Sequence, residues 1–161
     1  MSIYYSGSTL HGVKFSTSQS TGTWSTSSSG WSTFMSVSIS PTSSSSKILV
    51  TSFFNSTTSD GNRFAYMKLM RGSSDIAIGD SSGPRQRCTA DITIQNNAQN
   101  VIQYPYCIQW VDSPGTTSSI TYYVKIKVTN GGTFYFGYTP NGSDGNRSST
   151  PQSLTAREIG V

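Results

Sequence analysis

The sequence predicts an all-β fold, an antiparallel β-sandwich or jelly roll of about ten strands, and three observations carry that expectation. Apolar and polar residues alternate with period two along most of the chain and scarcely anywhere with helical period. Ser fills 32 and Thr 20 of the 161 positions, and both side chains compete with a helix for backbone hydrogen bonds. Clusters of Ser, Gly, Asn and Pro recur about every ten residues, the spacing of turns between the short strands of two packed sheets. Disorder, the other reading of a Ser-rich chain, conflicts with 19 aromatic residues and separated Val/Ile clusters that can form a core. No composition break divides residues 1–161, so a single domain is expected, long enough to bury roughly 70% of its unfolded surface.

Taken in order, residues 10–16 read as a first short strand. Residues 17–32 read as an early strand or a covering loop, because Trp24 and Trp31 are costly to leave wholly in water. Thr33, Met35, Val37 and Ile39 then alternate mostly with serines before a turn at Pro41. Residues 47–54 are apolar on both faces, and so are 63–71, where Phe64, Tyr66 and Met70 oppose Ala65, Met67 and Leu69. Strands of this kind need cover on two sides. Residues 75–78, 89–95 and 154–159 are further strands.

Residues 101–111 place Ile102, Tyr104, Tyr106, Ile108 and Trp110 on one side, and Pro105 marks an edge or a bulge because it cannot donate to a ladder. In 119–128, Ile120, Tyr122, Val124, Ile126 and Val128 take one face, and Tyr123, Lys125 and Lys127 the other. Asn130, Gly131 and Gly132 follow as a tight turn, since Asn and Gly accept positive φ. The expectation is a hairpin in which Val128 pairs with Phe134, Ile126 with Phe136 and Val124 with Tyr138.

The net charge of +4 reflects few acids rather than many bases: 11 Lys and Arg are scattered along the chain against 7 Asp and Glu. Direct nucleic-acid binding, which calls for a basic stripe with reachable aromatics, is therefore not expected. No apolar run approaches 18 residues, so no membrane insertion is expected, and the start MSIYYSGSTLHG lacks the regions of a signal peptide. Cys88 and Cys107, 19 positions apart, satisfy no zinc pattern and read as buried free thiols made in a reducing cytosol, a disulfide being the alternative.

Chemistry-bearing strings are few. Gly79-Asp80-Ser81-Ser82-Gly83-Pro84 matches the letters of a nucleophile elbow and resembles the serine segment of trypsin-like proteases. An elbow needs a following helix and a later histidine; Pro84 follows, and the one histidine, His11, precedes. Asp60, Asp75, Asp80, Asp91, Asp112, Asp144 and Glu158 are the only carboxylates, most of them in turn-like contexts where Asp caps its own backbone. The Asp-Gly-Asn-Arg string at 60–63 and 144–147 offers one carboxylate per loop, too few for a calcium site. No catalytic residue, metal or cofactor is expected. The remaining candidate is a subunit contact through the polar-tipped aromatics Tyr104, Tyr106 and Trp110, with core packing as the alternative use of that row.

The order of several segments resembles a known family. Ser36-Val37-Ser38-Ile39-Ser40-Pro41-Thr42, Ser44-Ser45-Ser46-Lys47-Ile48-Leu49-Val50 and Met67-Lys68-Leu69-Met70-Arg71-Gly72 come first. Ile78-Gly79-Asp80, Trp110-Val111-Asp112-Ser113-Pro114 and Glu158-Ile159-Gly160 follow. Together, from Leu10 to Val161, they resemble β-rich virion proteins of marine and cyanobacterial tailed phages. The resemblance implies a jelly roll similar to tumour-necrosis-factor and complement-type globular heads, assembled as a homotrimer, with no catalytic residues to carry over. Strand-like sequence begins within ten residues of Met1, which leaves no room for a fibre shaft. The expected role is therefore a self-contained knob on the virion, made and assembled in the bacterial cytoplasm, that decorates and stabilises the capsid through other virion proteins. The alternative is a tail-fibre or tail-tip protein whose loops hold a host surface glycan or receptor. A glycan-cutting enzyme or esterase ranks third.

Overall fold

The computed structural model describes residues 4–5, 8–9, 14–58, 62–94, 103–140 and 148–159. These residues form strands and turns, with no helix among them. A two-residue ladder joins β1 (Tyr4–Tyr5) to β2 (Ser8–Thr9). The other strands are β3 (Phe15–Ser20), β4 (Trp24–Thr26), β5 (Ser32–Ile39), β6 (Lys47–Thr58), β7 (Phe64–Arg71) and β8 (Ser74–Ile76). They continue with β9 (Ala90–Asp91), β10 (Tyr104–Asp112), β11 (Ile120–Thr129), β12 (Phe134–Phe136) and β13 (Gln152–Ile159). All pairings between them are antiparallel.

Two sheets result. In the larger, the 12-residue β6 is the spine. β10 runs along one of its edges. On the other, β13 and then β3 follow its first half, and β12 and then β4 its last three residues. The smaller sheet has the order β5-β11-β7-β8, with β9 also on β7. Among the described residues β10 pairs only with β6 and so is an edge strand, one of the two placements that Pro105 implied; its register passes through Pro105 without a bulge.

Alternation decides which side chains face inward. Met35, Val37 and Ile39 of β5, Ala65, Met67 and Leu69 of β7, and Tyr122, Val124, Ile126 and Val128 of β11 are buried, as the period-two pattern requires. Against them the larger sheet sets Ile48, Val50, Phe54, Phe134, Phe136, Leu154 and Ala156. One end of this core is aromatic. Phe34 lies 5.0 Å from Trp24, 5.5 Å from Phe54 and 4.7 Å from Phe136, ring centre to ring centre.

Three expectations are corrected. The hairpin across residues 130–132 does not form. Strand β11 lies between β5 and β7 in the smaller sheet, while β12 pairs with β4 and β6 in the larger. Asn130, Gly131 and Gly132 all have positive φ (68°, 70° and 80°), one more such residue than a two-residue hairpin turn uses, and the chain leaves its sheet for the opposite one. Both apolar patterns still face the same core, one from each layer.

Thr33, grouped with Met35, Val37 and Ile39, is instead exposed, and Phe34 joins the aromatic cluster. The register steps from Val124↔Met35 to Lys125↔Thr33, so Phe34 is the extra residue of a β-bulge and is re-aimed. Finally, β6 runs past its expected end at residue 54 to Thr58, because β10 pairs with it as far as Ser56 and β12 with Ser56, Thr57 and Thr58.

Candidate functional site

The expected subunit-contact residues divide between core and surface. Tyr104, Tyr106 and Ile108 of β10 pack against the core, and Tyr106 stacks on Phe54 at 5.3 Å with an interplanar angle of 18°. Burial pushes the Tyr106 hydroxyl above its ordinary pKa. Trp110, farther along the same row, keeps 45% of its surface exposed. Ile102 lies outside the described residues.

The residues considered for chemistry do not converge. Ser81 lies in an exposed loop, with no helix after it among the described residues, and His11, Asp60 and Asp144 fall outside the described residues. Among the described residues no group of three His, Cys, Asp or Glu side chains could hold a metal ion. Cys88 and Cys107 are unpaired thiols. Cys88 is half-buried, and burial together with the Asp91 charge pushes its thiol up, towards the protonated form. Cys107 is exposed, which corrects the expectation of burial: it points outward from the edge strand β10.

Among the described residues two carboxylates are buried, and each accepts from nearby donors. Asp112 accepts from Arg71 Nη1 at 2.9 and 3.0 Å and from the Tyr122 hydroxyl at 2.8 Å. Burial, this hydrogen bond and the Asp112 charge push the Tyr122 hydroxyl far up. Glu158 accepts from the Thr42 backbone N–H at 2.8 Å and from its hydroxyl at 2.6 Å. The register sets both beside Ile48, one on each side, so their backbones stand two strand spacings, about 10 Å, apart. They close one end of the core rather than face a shared cleft.

The feature that stands out is the outer face of the larger sheet. Register builds three rows across β3, β13, β6 and β10: Phe15-Arg157-Leu49-Val111, Thr17-Thr155-Thr51-Gln109 and Gln19-Ser153-Phe53-Cys107. Phe15 is 69%, Val111 46% and Phe53 39% exposed. With Trp110 at the rim, these are the exposed large apolar residues of the described chain, and all lie on this one sheet. The middle row is hydroxyl-rich, with Thr17 and Thr155 Oγ1 atoms 3.1 Å apart. Arg157 is the only charge in the three rows. A half-open groove of about 320 Å³ beside Phe53 is lined by Gln19, Ser20, Thr21, Pro151 and Ser153.

Sequence reasoning about sites passed over Phe15, Phe53 and Val111. The signal was nevertheless present in residues 47–54, whose apolar character on both faces asks for cover on two sides. The core covers Ile48, Val50 and Phe54, whereas Phe53 on the other face keeps 39% of its surface exposed. No protein-family model matches this sequence, and no curated protein matches it significantly.

Proposed function

We propose that this chain is a non-enzymatic structural module of a tailed-phage virion, a jelly-roll knob that assembles as a homotrimer and decorates the capsid. Strand order supports the jelly roll. The sequences β3-β13-β6-β10 and β5-β11-β7-β8 interleave early and late strands in both sheets, the arrangement of two nested Greek keys.

One observation carries self-association: the outer face of the larger sheet presents Phe15, Phe53 and Val111 to water around a single charge. Covering such a face gains about 25 cal/mol per Å² of apolar surface, and few ions need to be desolvated. Trp110 lies at the margin of this contact, while Tyr104 and Tyr106 support it from within. Three copies are what the phage resemblance implies, and closed symmetry stops growth at a finite assembly.

Light scattering of the purified protein at micromolar concentration tests this directly. The expected mass is three times the 17.4 kDa of one chain; a stable species at 17.4 kDa overturns self-association. Copy number per virion then separates the shell, with hundreds of copies, from the tail. The tail-tip reading is favoured by a different observation, the cationic and aromatic face of the smaller sheet.

A further inference from the structure

We propose that the outer face of the smaller sheet binds an acidic polysaccharide. Alternation turns Tyr123, Lys125 and Lys127 of β11 and Tyr66, Lys68 and Met70 of β7 away from the core. The register then sets Lys68 opposite Lys125, and Tyr66 opposite Lys127. Like charges directly opposite one another weaken a sheet, so this arrangement costs stability.

The charges are only partly compensated. Lys68 pairs with Asp75. Lys127 donates to the Gln86 amide oxygen at 3.1 Å, and Lys125 sits 5.8 Å from the centre of the Tyr123 ring. Trp31 lies between the strands' cations, 4.8 Å from Lys68 Nζ and 6.0 Å from Lys127 Nζ. Gln86 belongs to an exposed loop whose Arg85 and Arg87 hydrogen-bond within the loop, to Ser82 and to the Gly79 carbonyl, so the cations of the face itself are Lys68, Lys125 and Lys127, of which only Lys68 has an ion-pair partner among the described residues. Beside them β5 contributes hydroxyls, including Ser38, whose Oγ is 2.8 Å from Thr121 Oγ1.

Charge complementarity selects the occupant. The described residues of a second copy supply no acidic face: Asp112 and Glu158 are buried, and Asp75, Asp80 and Asp91 belong to this same patch. A single-stranded nucleic acid needs open rings on which bases stack, but the Trp31 ring is already faced by two ammonium groups. An anionic membrane calls for apolar side chains to insert beside the cations, and those lie on the other sheet. An acidic polysaccharide supplies carboxylates for the lysines and hydroxyls for the Ser and Thr rows, and needs no open ring on which to stack. The inference rests on the tail-tip reading above and is independent of self-association.

The test is interferometry on polygalacturonate and hyaluronate, with dextran as the neutral polymer, oligothymidylate as the nucleic acid and phosphatidylserine vesicles as the membrane. Binding to the acidic polymers, weaker at high salt and absent on dextran, is expected. The Lys125→Gln/Lys127→Gln double variant should lose about tenfold or more in affinity while melting no lower than the wild type, since the Lys68–Lys125 repulsion is relieved, and keeping its molar mass. No binding to either acidic polymer overturns the proposal. So does equal binding to oligothymidylate or to the vesicles, or undiminished binding by the double variant. Because the variant leaves the larger sheet untouched, its molar mass reports self-association separately.

Discussion

Phe53 and Phe54 are consecutive in β6 and stand on opposite faces of one sheet. Phe54 is fully buried, with the rings of Phe34, Phe136 and Tyr106 within 5.7 Å, whereas Phe53 keeps 39% of its surface exposed. The two positions therefore separate the demands of folding from those of association. Phe54→Ala should cost about 3–5 kcal/mol, the range for emptying a buried aromatic site, measured by urea denaturation. Phe53→Ser should preserve the β-type circular dichroism spectrum and shift the light-scattering mass towards 17.4 kDa. An equal loss of stability from the two substitutions would contradict the assignment of faces.

A second pair tests the smaller sheet. Ile126 is fully buried, and its neighbour Lys127 reaches the surface to meet Gln86. Ile126→Asp buries an unpaired carboxylate and should leave the chain unfolded or aggregated on expression. Lys127→Asp should change stability by no more than about 0.5 kcal/mol, as expected at a solvated position. Thermal melts of the two variants decide the matter.

The inward faces of β5 and β11 were legible because a two-residue period tells inward from outward, whereas β7, apolar on both sides in sequence, did not declare which side was the core. The period does not name the partner strand. That is why residues 134–136 matched 124–128 in pattern yet belong to the opposite sheet. Phe34 was illegible for a related reason: a bulge inserts one residue and breaks the period that identifies the face. The cationic face was hidden because Lys68 and Lys125 are far apart in sequence and meet only through the β7–β11 register. The apolar outer face was half legible. Leu49 and Phe53 announced a second side needing cover, but only the register brings Phe15 and Val111 alongside Leu49.

Gly137 is required by both backbone and space. Its φ of 76° suits glycine, and a Cβ there would lie 1.8 Å from Nε2 of the buried Gln152, whose amide donates to the Gly22 carbonyl at 3.0 Å. Left-handed backbone costs an ordinary L-residue roughly 1–2 kcal/mol before any clash. Gly137→Ala should therefore destabilise by more than that amount. Gly132→Ala should be milder, since its Cβ would meet the flexible Arg63 side chain. Parallel melts rank the two, and an equal effect would show that Gln152 yields as easily as Arg63.

Glu158, the only glutamate in the chain, makes stability depend on pH at the acid end. Burial pushes its carboxyl up, but the neighbouring Ser46 and Thr42 hydroxyls, the Thr42 N–H and the Lys14 charge together hold it below its ordinary value of 4.5. A carboxyl held lower in the folded than in the unfolded chain binds its proton more weakly when folded. Its stabilising contribution is therefore complete above the unfolded value, declines as pH falls below 4.5, and is lost once pH passes through the folded value. Urea midpoints taken at decreasing pH should fall over that interval for the wild type. Glu158→Gln keeps an acceptor for Thr42 but cannot titrate, so its midpoint should start lower at neutral pH, by about 1 kcal/mol or more in unfolding free energy, and vary less with acid. An identical acid response in both proteins would show that Glu158 is not its source.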